Sequence, residues 1–270
     1  MADFIIEQKN NIWYGSFPLL TEAGFANGCS CRFHGESDIV PGTLNLALHV
    51  GDAEEKVLAN RRLFAETLGT DARRFTTCRQ VHGSRVERID AGRIGSGALT
   101  LADSVADTDA LITCLADVPL LLFYADCVPV LLADPATGAC GLAHAGWRGT
   151  VAGIAARTVE AMEREFGSRP EHILAAVGPS IGSCCYEVDD YVRGNAAGYE
   201  EFFAPVQGRE GHYMLDLWGM NRRMLQEAGV LPGNIAAAGV CTAHNHQLFC
   251  SHRAEQGRTG RMGVCIYRKK

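Results

Sequence analysis

The chain has 270 residues, a mass of 29.1 kDa, a formal net charge of -6 and a sequence pI of about 5.8. Hydrophobic residues at 47% against 21% charged supply a sizeable core for one large or two small domains. The acidic balance argues against general attraction to nucleic acid or to an anionic membrane surface.

The N-terminal stretch Met-Ala-Asp-Phe-Ile-Ile-Glu lacks the features of a secretory signal, and the longest apolar run, 118–124, is far too short to span a bilayer. A cytoplasmic location is expected, in which the eleven cysteines stay reduced. Cys29, Cys78, Cys114, Cys140, Cys241, Cys250 and Cys265 read as small buried hydrophobes, and no CxxC pair of the zinc-ribbon kind is present.

In chain order, the first predicted helix covers 53–68, with Asp52 as its N-cap and Gly69 past its end. Val57, Leu58, Phe64, Ala65 and Leu68 form its apolar stripe, and Arg61 falls near that stripe, where a charge needs a partner. Apolar runs of strand length follow at 119–124, 128–133 and 139–143. A second helix is predicted over 150–166, ended by Gly167, then a strand at 173–177. A third helix covers 217–228, capped by Asp216 and ended by Gly229, before strands at 235–240 and 263–267. Several of these strands are apolar almost without interruption, which fits burial on both faces. Irregular interleaving of strands and helices predicts an α+β fold with mixed sheets in a single domain over 1–270.

Three segments place a metal-ligating residue beside glycine or at a strand end: Gln80-Val81-His82-Gly83, Ala125-Asp126-Cys127-Val128-Pro129, and Ala143-His144-Ala145-Gly146-Trp147-Arg148-Gly149. If 128–133 and 139–143 pair as a hairpin through 134–138, their far ends meet and Cys127 approaches His144. One thiolate and two imidazoles suit Zn²⁺, leaving a fourth position for water, whose pKa the metal lowers to about 7. A buried cysteine and two histidines satisfied by the backbone fit the same spacing. Gly146 to Gly149, leading into a helix, offers amides to an anion, and Arg148 adds a bidentate donor. Trp147 offers a face for stacking. Cys184 and Cys185 are vicinal and poorly placed to bridge each other, so a tight structural loop is the reading there. His244, His246 and His252 with Arg253, Arg258 and Arg261 read as a solvated basic loop, a second metal site being the alternative.

At these segments, together with Leu44-Asn45-Leu46-Ala47-Leu48-His49-Val50-Gly51-Asp52, the run Gly178 to Val188 and Thr259-Gly260-Arg261-Met262, the chain resembles the YfiH-like family. That family was first described as multicopper polyphenol oxidases, or laccase-like proteins, and later assigned purine nucleoside phosphorylase activity. The resemblance implies one zinc on His82, Cys127 and His144, and mixed sheets packed as a sandwich with helices outside. It further implies phosphorolysis of adenosine, inosine, guanosine and methylthioadenosine by inorganic phosphate, with adenosine deaminase side activity. Cys127 and His144 are then the catalytic pair, Arg61 or Arg148 the phosphate holder, and Asn45 a residue that orients the substrate. His34 and His252 depart from the family's usual glycine and tyrosine, which bears on substrate preference. Three rival readings are a cysteine hydrolase using Cys127 and His144, a copper-dependent polyphenol oxidase, and a binding protein without turnover.

Overall fold

A computed structural model describes residues 2–270. Two sheets form its centre. The first runs β1 (Ile5–Lys9), β2 (Ile12–Ser16), β3 (Phe25–Ser30), β15 (Met262–Arg268) and β7 (Leu120–Tyr124), antiparallel throughout. The second runs β14 (Ile235–Ala237), β10 (Leu174–Val177), β8 (Val128–Asp134), β9 (Ala139–Ala145), β6 (Ala110–Thr113) and β5 (Val86–Arg88), with parallel pairs at both edges. β4 (Phe33–Ser37) lies apart, and a small antiparallel sheet joins β11 (Glu187–Asp189), β13 (His212–Leu215) and β12 (Phe203–Pro205).

The continuous apolar character of the central strands has a direct cause. Leu120, Leu122 and Tyr124 of β7 face Leu131 and Ala133 of β8 in a core between the two large sheets. Leu121 and Phe123 point the other way, onto Phe64, Ala65 and Leu68 of α2 (Glu54–Leu68). Val128, Val130 and Leu132 likewise turn outward onto α4 (Ile154–Phe166) and α6 (Leu217–Glu227). The layers are therefore helix, sheet, sheet and helix, so each central strand is dry on both faces. Short helices α1 (Pro18–Glu22), α3 (Trp147–Val151) and α5 (Asp190–Gly194) complete the fold. Among the described residues, no helix is long and apolar enough to cross a membrane.

Two helix predictions need correction. The N-cap of α2 is Ala53; the Asp52 carboxylate instead accepts from Ser37, Asn45 and two backbone N–H groups. The helix predicted over 150–166 is two helices, because Gly153 adopts φ 78° and ends the first at Val151. That conformation costs glycine little, and it lets the chain turn so that Ile154, Ala155 and Val159 reach the sheet. Leu58 is half-buried, whereas Asn60 and Arg61 take buried positions on α2.

The partner that Arg61 requires is the backbone. Its Nε donates to Leu46 O at 2.8 Å, and Nη1 to Gly97 O and Ala98 O, each at 2.7 Å. Arg61→Met is expected to leave these carbonyls dry and unpaired, and to lower stability by about 3 kcal/mol. An unchanged urea midpoint with an unchanged denaturant slope would contradict this assignment.

Candidate metal centre and pocket

The hairpin expected from the sequence is present. β8 and β9 pair antiparallel with Val128 opposite Ala145 and Pro129 opposite His144, which brings Cys127 beside His144. His82 approaches from a separate loop, and the ligand atoms of His82, Cys127 and His144 all lie within 4.8 Å of one another. The two imidazoles stand edge to face with centroids 4.8 Å apart. Gly146 closes the cluster: a Cβ there would lie 3.0 Å from both Cys127 Sγ and His82 Cδ2. The three residues thus meet with their donors converging, as a metal requires, rather than being separately satisfied by the backbone.

Asp109, which the sequence reading did not single out, organises this centre. It is fully buried immediately before β6. Its Oδ1 lies 2.8 Å from His144 Nδ1 and accepts the His82 N–H at 3.0 Å. Its Oδ2 accepts from Gly83 at 2.7 Å and Val81 at 3.2 Å. Three successive amides on one carboxylate hold His82 at φ 60°, a left-handed conformation that is costly for a residue with a Cβ. Burial pushes the Asp109 carboxyl up, but the bonds from His144 and these amides outweigh it and hold the group below its usual range. An ionised Asp109 places the His144 proton on Nδ1 and turns Nε2 towards Cys127.

Electrostatics at the sulfur agree. Burial pushes the Cys127 thiol up, yet His144 and the hydrogen bonds from both histidines overcome this and bring it to about 6. Burial alone would lower His144, and the Cys127 sulfur together with Asp109 raises it to about 9. Both shifts favour a thiolate beside an imidazolium, and a metal ion bound here would displace the imidazolium's Nε2 proton and leave His144 as a neutral ligand.

Cys127 sits in the turn between β7 and β8, braced through its neighbour. Asp126, at φ 86°, accepts from Thr242 Oγ1 at 2.7 Å and from the Arg253 N–H at 2.7 Å, while its carbonyl accepts from Ile181 at 2.9 Å.

The centre opens into a cavity of about 560 Å³. Phe123, Trp147 and Tyr186 supply aromatic walls, and Arg148, Arg253 and Arg261 line the same space. Among the described residues none of these three guanidinium groups is paired with a carboxylate; Arg148 stacks on Trp147 at 4.6 Å and Arg253 on Tyr186 at 5.2 Å. The loop carrying Arg253 and Arg261, read from sequence as solvated, is exposed at His252, Arg253 and Arg258 and also borders the pocket. His252 lines it as well, as does His49, which is exposed at its edge. His34 lies elsewhere, exposed on β4.

Arg61 and Asn45 do not line the cavity. Arg61 packs against the Phe123 ring at 5.0 Å, and the Asn45 side chain accepts the Arg261 N–H at 2.9 Å. Both touch residues that do line it.

A helix–sheet–sheet–helix sandwich with a Cys and two His at one pocket defines a recognisable class. Residues 26–269 match the family model described as multi-copper polyphenol oxidoreductase laccase, and the chain belongs to that family, the YfiH/laccase-like proteins. It is 41% identical over 251 residues to purine nucleoside phosphorylase YlmD of Geobacillus stearothermophilus, covering 92% of each chain. It is 42% identical over 217 residues to a purine nucleoside phosphorylase of Deinococcus radiodurans, covering 80% of this chain and 78% of that protein. Among solved structures, the hypothetical protein YfiH of Bacillus licheniformis superposes with a TM-score of 0.92 at 36% identity, covering 98% and 99% of the two chains.

Proposed function

We propose that the chain is a cytoplasmic, zinc-dependent purine nucleoside phosphorylase acting on adenosine, inosine, guanosine and methylthioadenosine, with adenosine deaminase side activity. The observation that carries the phosphorolytic reading is the set of three guanidinium groups without carboxylate partners beside aromatic walls and the Cys–His₂ centre. Inorganic phosphate is a dianion that needs such donors, and a purine needs faces to stack on. The names carried by the relatives support the same reaction. The substrate range and the deaminase activity rest on the family resemblance.

In this reading Arg148, Arg253 and Arg261 hold the phosphate while its oxygen forms the bond to C1′ and the C1′–N9 bond breaks. Phe123, Trp147 and Tyr186 position the base. Asn45 acts indirectly by fixing the Arg261 backbone, and Arg61 by supporting Phe123 from beneath. The donor set of His82, Cys127 and His144, with Asp109 fixing one imidazole, fits zinc, which when bound supplies Lewis-acid chemistry to the pocket. A second reading, cysteine hydrolysis, is favoured by one feature: Cys127, His144 and Asp109 follow in the order of a nucleophile, base and orienting acid.

The deciding experiment incubates purified protein with adenosine, with and without phosphate, and identifies the products. Adenine and ribose 1-phosphate formed only with phosphate is the expected result. Arg148→Ala should lower phosphate-dependent turnover about 10- to 100-fold, and deamination much less, since only phosphorolysis holds a further anion. Absence of phosphorolysis with every nucleoside named would overturn the proposal.

A further inference from the structure

Two features that the sequence leaves apart meet in space. Cys184 and Cys185 lie in the loop after β10, and His244 lies in the turn after β14, and one ligand atom from each falls within 4.8 Å of the others. The Cys241 sulfur neighbours both thiols but stands outside the set whose ligand atoms all lie within 4.8 Å of one another. All four side chains are free of disulfide or carboxylate partners. We propose that Cys184, Cys185 and His244 form a second metal site, for a thiophilic divalent ion of the zinc class, that staples together the two loops flanking the candidate pocket, with Cys241 packed behind it.

The geometry is that of a ligand set. Two thiolates and one imidazole suit an ion of the zinc class, and Zn–S bonds of about 2.3 Å put tetrahedral sulfurs about 3.8 Å apart. Cys184 Sγ and Cys185 Sγ are 3.6 Å apart. A disulfide between them is disfavoured, because a trans peptide leaves neighbouring Cα atoms only about 3.8 Å apart, short of the usual span. The Cys241 sulfur accepts the Gly182 N–H at 3.2 Å and the His244 N–H at 3.4 Å, the donation that structural thiolates receive from their own loops. Cys241 is buried against Ile181 and Ala243, while Cys184 and His244 are exposed, which gives the cluster an anchored back and an open approach for the ion.

The loops concerned already touch. Ser180 and Cys241 form a parallel bridge, with Ser180 N donating to Val240 O at 3.2 Å and Thr242 N to Ser180 O at 3.0 Å. Both loops then reach Asp126, through Ile181 N and Thr242 Oγ1. An ion here would close the same two loops by covalent-strength bonds and stiffen the brace behind Cys127.

The test titrates reduced, metal-free full-length protein with Co²⁺, whose sulfur-to-metal absorption reports thiolate ligation, and counts bound ions. Wild type should take two ions per chain. Cys127→Ser should keep one thiolate-rich ion, and the exposed-residue variant Cys184→Ser/His244→Ala should lose that one and keep the other. In parallel, Zn²⁺ should protect Cys184 and Cys185 of the Cys127→Ser protein from iodoacetamide at least about tenfold, read by mass spectrometry. A single ion in wild type, unaltered by Cys184→Ser/His244→Ala, overturns the proposal. Equal labelling with and without Zn²⁺, or a disulfide among these cysteines that persists in reductant, also overturns it. Wild-type stoichiometry and labelling decide the matter even if a variant fails to fold.

Discussion

Cys127→Ser is expected to yield a folded protein that has lost metal from the pocket and all nucleoside turnover. The substitution replaces one sulfur by one oxygen, so packing against the Gly146 backbone is kept and the fold should survive. What changes is the donor. The thiol, brought to about 6 despite its burial, is a thiolate at neutral pH, whereas a serine hydroxyl stays protonated and binds zinc poorly. Metal affinity at this centre should fall more than about 100-fold, and His144→Ala should produce a similar loss. Zinc content and turnover measured on one sample separate the readings. Full zinc occupancy with no activity would move the assignment to the cysteine hydrolase, and copper in preference to zinc would move it to the oxidase.

Asp109→Asn is expected to damage the same centre without touching a ligand. One carboxylate oxygen faces His144 Nδ1 and the His82 amide, the other faces the amides of Val81 and Gly83. All of these are donors once Asp109 is ionised. An amide side chain has one oxygen and one NH₂, so in either orientation a donor is aimed at donors in a fully buried site. The mismatch should cost about 3 kcal/mol of stability and lower zinc affinity about 10- to 100-fold. Thermal melting and competitive zinc titration check the two effects. A variant with wild-type stability and zinc affinity would show that the acid has no part in setting His82 and His144.

Much of the fold was legible because the hydrophobic pattern is strong where strands are sandwiched. The runs around 119–124, 128–133 and 139–143 sit between turn signals and form strands, and the last two pair as the expected hairpin. The N-terminal strands were not legible. Every residue of β1 is exposed on a sheet edge, and β3 includes Asn27 and Gly28, whose burial depends on partners far along the chain. At the site, hairpin geometry brought Cys127 to His144, and the family resemblance implied His82 as the third member. Asp109 could not, since its role depends on a loop folding back onto β6, and its one local signal is an acid placed directly before an apolar strand. The basic loop from His252 to Arg261 is solvated as read, with His252, Arg253 and Arg258 exposed, but composition alone does not show that Arg253 and Arg261 also border the pocket. Cys184–Cys185 and His244 were read separately for the same reason: proximity across loops is a tertiary fact.

The position of β15 carries a consequence for biosynthesis. This strand lies between β3 and β7, and Gly263 bonds to Ser30 across 233 residues of chain. Until the ribosome has released residues 262–268, β3 and β7 have no common neighbour and the first sheet remains split, its two inner edges open to pairing with other chains. Arg253 and Arg261 emerge just ahead of that strand, so the basic side of the pocket is assembled in the same late step that joins the sheet. A nascent chain would thus acquire the basic side of its pocket only as the two inner strand edges are covered.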